Sequence, residues 1–346
     1  MRHEHGGNIY SNKCDIDFSA NINPIGMGIE IKEAFFNSFD MSACYPDPEC
    51  RELKKLVSEK ENVSAENIIC SNGAAELIFA VCFAMKPRKA LIAAPCFAEY
   101  EQALSSVGCE TEKYILDEKN GFAFDNGFIS AIRNGIDIVF FTNPNNPTGN
   151  ICDSGYVESI AAKCADCGAT AVFDECFIDF VENGEKFTAK KYLNYGNMII
   201  LKAFTKFYAM PGLRLGYGMF SDYKTALKVR SCMQTWNVSA PAQAAGIAAL
   251  NIKGLEERTL EYIGREKEYL LKNMEILAEK VYGHSANFIF FRESENFGKK
   301  MLERGILIRS CRNYYSLNDK YYRIAVRTHN ENLKLIKAWK DIKVNG

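Results

Sequence analysis

The stretch IDIVFFTNPNNPTG, residues 136–149, runs from a nearly continuous apolar segment straight into a turn stiffened by two prolines and three asparagines. A short apolar run bounded by turn residues reads as a strand buried on both faces of a sheet. Similar runs lie on either side of it: IIC at 68–70, ALIAA at 90–94, ATAVF at 169–173 and MIIL at 198–201. Longer amphipathic stretches separate them, including AAELIFAVCFAM directly after Gly73, FAEYEQALSSVG ending on Gly108 and SGYVESIAAKCADCG ending on Gly168. Glycine marks such boundaries because it accepts the left-handed backbone that stops a helix. Strand and helix in alternation predict an α/β fold, with a largely parallel sheet covered by helices on both faces.

Further along, EERTLEYIGREKEYLLKNMEILAEKV (256–281) is long, charged and periodic, with Leu260, Ile263, Leu270, Leu271, Met274 and Leu277 available for one face. The runs NFIFF (287–291), ILIRS (306–310) and YYRIAV (321–326) then read as strands, and ENLKLIKAWKDIK (331–343) as a closing amphipathic helix. These predict a smaller α+β domain. The opening residues lack helical periodicity and are rich in Asn, Gly and Ser, which predicts an extended arm that needs another surface for order. The expected division is an arm at 1–30 packing on the small domain or on a partner, a large domain at 31–235 and a small C-terminal domain at 236–346.

The chain has 346 residues, 47% of them hydrophobic and 25% charged, which leaves room for two cores and excludes a disordered or fibrous protein. A formal net charge of -1, with both signs mixed along the chain, creates no field that favours nucleic acid or an anionic membrane. No apolar run has the length of a signal-peptide core or a membrane span, so a cytoplasmic location is expected. Thirteen cysteines, an odd number at irregular spacings, read as buried thiols rather than disulfides. Cys164 and Cys167 form a CxxC in a helix-like stretch with no second pair at zinc-site spacing, so no metal site is expected.

In an open α/β sheet ligands gather at the carboxyl ends of the strands, so the residues just past each apolar run carry the chemistry. After IIC comes Ser71-Asn72-Gly73-Ala74-Ala75-Glu76, a turn opening a helix whose free N–H groups suit a phosphate. After IDIVFF comes the rigid Asn143-Pro144-Asn145-Asn146-Pro147 turn, with its amides held at fixed angles. ATAVF ends on Asp174-Glu175-Cys176-Phe177, and MIIL leads to Lys202-Ala203-Phe204-Thr205-Lys206, with Arg214 eight positions beyond the second lysine. Isolated charges such as Lys202, Arg230 and Arg292 read as solvated surface groups.

NPNNPTG, DExF, TK and the following arginine, in that order and from strand ends, resemble the aminotransferase class I and II group of fold-type I pyridoxal phosphate (PLP) enzymes. The resemblance covers nearly the whole chain and implies a mostly parallel seven-stranded sheet. It implies that Lys206 bonds covalently to the PLP aldehyde and moves protons. Asp174 would face the pyridine nitrogen and Asn146 the phenolic oxygen, with Phe97 stacked on the ring and Phe177 beside it. Arg214, Thr205 and the backbone of Gly73, Ala74 and Ala75 would hold the phosphate. Tyr45, in CYPDP, matches a tyrosine that reaches the phosphate of the neighbouring subunit, which implies a homodimer. Arg323 matches the arginine that pairs with the substrate carboxylate, a task suited to a planar, always-charged fork.

Three features set the expected reaction apart from plain transamination. HGGN (5–8) and DFSANINPIG (17–26) are similar to the opening of threonine-phosphate decarboxylases of cobalamin biosynthesis, where histidinol-phosphate aminotransferases show an NENP-like stretch. Phe177 stands where the aminotransferases commonly carry a tyrosine. Arg309, Arg312 and Arg327 join Arg323 in the C-terminal region, enough guanidinium for a substrate with both a carboxylate and a phosphate. The expected substrate-binding set is Asn23, Arg309, Arg323 and Arg327. The expected reaction is decarboxylation of L-threonine O-3-phosphate to (R)-1-aminopropan-2-yl phosphate, with an aminotransferase acting on histidinol phosphate or a related amino acid as the alternative.

Overall fold

A computed structural model describes residues 5–345. A short strand β1 (Ile16–Asp17) lies in the arm, and the chain then builds β2 (Ile68–Ser71), β3 (Lys89–Ala94), β4 (Glu110–Ile115), β5 (Ile138–Thr142), β6 (Thr170–Asp174), β7 (Met198–Ala203) and β8 (Gly216–Phe220). These seven later strands form one sheet in the order β2-β8-β7-β6-β5-β3-β4. The run from β7 to β4 is parallel, while β8 is antiparallel to both β2 and β7.

Successive residues of the central strands serve two cores, as the pleat requires. Val139, Phe141, Ala171, Phe173, Met198 and Ile200 join one apolar cluster, whereas Ile138, Phe140, Val172, Ile199 and Leu201 join the other. Helices on both faces leave these strands buried at nearly every position, and most of those positions are apolar. The helix Ala74–Met85 is itself buried on most sides, through Leu77, Ile78, Val81 and Cys82 among others. The helix Ser154–Cys167 is bounded as its sequence predicts: the Asp153 carboxylate accepts from Tyr156 N at 2.9 Å, and Gly168 takes φ +70° at the far end. It carries Cys164 and Cys167, and no group of three or more potential metal ligands occurs among the described residues.

Two strands of the seven-stranded sheet escaped the periodicity reading, and the stretch 256–281 read as one helix ends at Leu277, with Lys280–Val281 in a short strand. β8 is GYGMF, whose glycines read as turn, yet a Cβ at Gly216 would sit 2.6 Å from Ala74 N and 3.0 Å from Lys202 O. Only glycine allows the strand to pass so close to the start of the helix Ala74–Met85. β4 is the polar edge strand ETEKYI, exposed along much of its length.

The C-terminal region adds β9 (Lys280–Val281), β10 (Phe288–Arg292), β11 (Ile306–Leu307), β12 (Arg309–Ser310) and β13 (Tyr321–Ala325). A four-stranded sheet runs β12-β13-β10-β9, and the helix His329–Asn345 buries Trp339 near Phe291 and Phe297. The segment read as one strand at 306–310 is split: β11 pairs in parallel with β1 of the arm, and β12 turns to β13. That pairing supplies the surface the arm needs. Residues 1–4 of the expected arm lie outside the described residues.

Lys202 corrects its reading as a surface group. It is buried on β7, with Nζ 3.1 Å from Glu61 and 2.8 Å from Asp179. Burial alone raises a carboxyl pKa, but Lys202, Lys190, the Tyr217 hydroxyl and Lys60 outweigh it and hold Glu61 down at about 2. Glu61 therefore contributes stability that is full above its ordinary 4.5 and is lost as the pH falls toward 2. Removing the shared cation takes an ion partner from two carboxylates, Asp179 and Glu61, and leaves Glu61 with Lys190. Lys202→Met is expected to lose about 3–5 kcal/mol of stability in urea titration at pH 7, with a smaller loss near pH 3.

Candidate active site

The carboxyl ends of β3, β5, β6 and β7 surround a cavity of about 260 Å³, lined also by the arm and by Arg309 of β12 and Arg323 of β13. Lys206 reaches it from the one-turn helix Phe204–Phe207 that follows β7. Burial lowers its amine pKa to about 8, assisted by the Arg323 and Arg214 guanidinium groups and opposed by Cys176. An amine with that pKa keeps a far larger neutral fraction near physiological pH than an ordinary lysine, and the neutral form is the one that adds to an aldehyde.

One end of the cavity suits a phosphate. Gly73 takes φ +77° ahead of the helix Ala74–Met85, and a Cβ on it would come 2.4 Å from the Arg214 guanidinium. Glycine thus lets the guanidinium close over the helix start, where the first-turn N–H groups have no helical partner. Ala74, Ala75, Thr205 and Arg214 all line the cavity here.

Asp174 ends β6 on the cavity floor. Its carboxylate accepts from the Tyr100 hydroxyl at 2.6 Å and from Cys176 N at 3.0 Å. Phe97 lines the wall, and Phe177 meets Phe288 edge to face at 5.1 Å. Asn146, on the rigid turn after β5, accepts through Oδ1 from Arg323, whose other terminal nitrogen donates to Ser19 O at 2.9 Å. Arg323 is buried on β13 and its Nε has no partner. Arg309, on β12, donates to Asn313 at 2.7 Å and lies 5.3 Å from the Tyr314 ring centre.

Five of the expected residues do not line the cavity. Asn23 does not line the cavity: its Nδ2 donates to Phe207 O at 2.8 Å and Thr259 Oγ1 at 3.0 Å, and its Oδ1 accepts from Ile25 N. Its backbone N–H donates to Lys206 O, so Asn23 ties the arm to the lysine turn. Arg327 also lies outside, paired with Glu331 at 2.8 Å one helical turn on. Tyr45 is exposed and stacked on Trp236 at 4.2 Å, away from this chain's own cavity. Gly73 acts through the room it leaves for Arg214. Arg312 is exposed and does not line the cavity.

The arm supplies residues that the sequence reading passed over. Asn21 lines the cavity, is almost fully buried, and neither its Nδ2 nor its Oδ1 has a partner. It lies two residues before Asn23 in the same SANIN run, and only the tertiary path of the arm separates the two. His5 pairs with Glu99 at 2.9 Å and lies 6.0 Å from the Phe97 ring. Gly6 allows this approach, since a Cβ there would sit 2.1 Å from Ser19 O. Tyr100, three residues past Phe97, and Thr142 at the tip of β5 complete the floor.

A family model for aminotransferase class I and II matches residues 14–338. The chain belongs to this family and has its fold-type I architecture. It is 34% identical to a threonine-phosphate decarboxylase of Salmonella typhimurium over 98% of this chain and 96% of that protein. It is 32% identical to the adenosylcobalamin biosynthesis bifunctional protein CobDQ of Leptospira interrogans, over 98% of this chain and 41% of that longer protein. Among solved structures, the histidinol-phosphate aminotransferase of Clostridium acetobutylicum superposes with a TM-score of 0.87 at 28% identity, covering 96% of this chain and all of the other.

The PLP that the family implies fits the residues present. The glycine cradle beneath Arg214 would take a phosphate, Lys206 offers an amine whose pKa burial has lowered, and Asp174 places a hydrogen-bonded carboxyl group on the floor. Asn21 and the Arg323 Nε leave buried hydrogen-bonding atoms without partners, as a site made for a polar occupant does.

Proposed function

We propose that this protein is a PLP-dependent decarboxylase that converts L-threonine O-3-phosphate and a proton to (R)-1-aminopropan-2-yl phosphate and CO2, a step of cobalamin biosynthesis. The observation that carries this reading is the pairing of Arg323 and Arg309 on adjacent strands, both lining the cavity that Lys206 also lines. Two buried guanidinium groups suit a small substrate with two anionic ends. The greater identity to the Salmonella decarboxylase supports the same choice. The superposition on the Clostridium aminotransferase favours the second reading, an aminotransferase acting on histidinol phosphate.

When bound, PLP would hold the substrate amine covalently and take up the electron pair of the breaking bond. Arg214, Thr205 and the N–H groups of Ala74 and Ala75 would grip its phosphate, and Phe97 would hold the plane of its ring. Asn146, with Oδ1 engaged by Arg323, would offer Nδ2 to the phenolic oxygen. Arg323 would orient the carboxylate and Arg309 the phosphate of the substrate. Lys206, once released by the substrate amine, would deliver the proton to the α-carbon. Phe177 offers no hydroxyl to compete for that proton.

The two arginines make a direct test. Arg309→Gln is expected to raise the KM for threonine phosphate about 10- to 100-fold while leaving PLP bound. Affinity for unphosphorylated L-threonine as a competitor should hardly change. An equal loss of both affinities would refute the phosphate role.

The assembly is part of the proposal. Phe36, Phe39, Met41, Tyr45 and Trp236 are large, exposed and apolar, in the N-terminal part of the chain and the segment stacked against it. Such a surface suits burial against a second copy, with Tyr45 reaching the partner's phosphate site. Within each chain the arm at 1–30, a large domain at 31–235 and a small domain at 236–346 would work as units. No helix among the described residues is long and apolar enough to cross a membrane.

A further inference from the structure

The floor of the cavity holds a hydrogen-bonded chain that no part of the proposed catalytic cycle has yet used. Tyr100 lies on the helix Glu99–Ser106, is 1% exposed, and stacks on Phe140 with ring centres 5.0 Å apart. Its hydroxyl stands 2.6 Å from Asp174 Oδ2 and 2.8 Å from Thr142 Oγ1. A phenol has one proton, and the carboxylate is acceptor only. The proton therefore points at Asp174, and Thr142 donates into the phenolic oxygen. The order is Thr142 to Tyr100 to Asp174.

We propose that Tyr100, backed by Thr142, is a positioning residue that keeps Asp174 anionic and thereby keeps the proton on the pyridine nitrogen of bound PLP. The inference rests on the PLP reading above. A carboxyl in a buried site tends to become neutral, because desolvation penalises its charge. Facing a pyridine, it has a ready way to do so: the proton passes from nitrogen to oxygen, and the charged pair becomes a neutral one. A ring that has lost this proton is a poorer electron acceptor. A short hydrogen bond to the carboxylate opposes that transfer, since it stabilises the anion and not the acid. The second donor polarises the first, so the two act together.

The surroundings fit a donor of this kind. Burial and the neighbouring Asp174 push the Tyr100 phenol well above its ordinary value, so the hydroxyl keeps its proton. Asp174 Oδ1 is held separately by Cys176 N, so the carboxylate is fixed at both oxygens and cannot rotate away. Tyr100 also meets Phe97 edge to face at 5.7 Å, which places the ring platform and the group that tunes the floor on one segment of chain.

The test is nitrogen-15 NMR of holoenzyme reconstituted with PLP labelled at the pyridine nitrogen. Wild type should resonate at the position of a protonated pyridine. Tyr100→Phe should move the signal downfield toward the unprotonated position. Thr142→Val should move it the same way by less, and decides the matter if the first variant does not fold. In steady state Tyr100→Phe should lower kcat about tenfold with little change in KM, because Tyr100 is placed under the cofactor and not against the substrate. If PLP is bound and the resonance stays put in both variants, Tyr100 is only a packing residue and the inference fails while the PLP reading stands. If wild type takes up no PLP, both fail together.

Discussion

Lys206→Ala is expected to lower kcat by about 10⁴-fold and to abolish the near-visible absorbance of lysine-bound PLP. The variant loses two functions at once, the covalent hold on the cofactor and the group that returns a proton to the α-carbon. The pH dependence follows from the same amine. Its pKa near 8 means that the wild-type apoprotein captures PLP at a rate that is flat above about pH 8. Below that, capture should slow by about tenfold per pH unit as the amine protonates. Stopped-flow absorbance after mixing the apoprotein with PLP measures this directly. A lysine at its ordinary pKa would show no plateau before about pH 10.

Asp174→Asn is expected to lower kcat by about 10³-fold with little change in KM. The amide can still accept from Tyr100 through its oxygen, while its NH2 group then faces the Cys176 N–H and that one hydrogen bond is lost. What would disappear is the negative charge that, in the proposed role, holds a proton on the pyridine nitrogen. The loss should therefore appear in the chemical step, and single-turnover kinetics should show slow chemistry after normal substrate binding. A fall in PLP occupancy alone, cured by excess cofactor, would contradict this account of the residue.

The fold was legible where physics acts locally. β5, β6 and β7 announce themselves as apolar runs because helices cover both faces, and the residues at their tips are the ones that meet in the cavity. Asn146, Asp174 and Lys206 follow those runs directly, so their convergence was readable from order alone. β8 was not, because its glycines serve a close passage against the Ala74 backbone and resemble a turn when met one residue at a time. β4 was hidden by its polar edge position.

Side-chain partners were the harder part. Lys202 resembles any surface lysine until the chain brings up Glu61 from 141 residues away and Asp179 from 23. Asn21 and Asn23 are two positions apart in one motif. Only the path of the arm over the cavity decides that Asn21 faces inward and Asn23 grips Phe207 and Thr259. Arg327 was grouped with the substrate arginines by its neighbours in sequence, yet the helix His329–Asn345 places Glu331 against it. Tyr100 carries no motif of its own. Its role comes from the register that sets Thr142 beside Asp174 beneath it.

The central claim is the reaction itself, and the most direct measurement supplies the purified holoenzyme with L-threonine O-3-phosphate labelled at the carboxyl carbon. The account predicts that labelled CO2 is released in step with 1-aminopropan-2-yl phosphate, over many turnovers and without a keto acid. It would be contradicted by retention of the label in substrate together with conversion of the cofactor to its amine form by L-glutamate and transfer of that amine to the keto partner of histidinol phosphate.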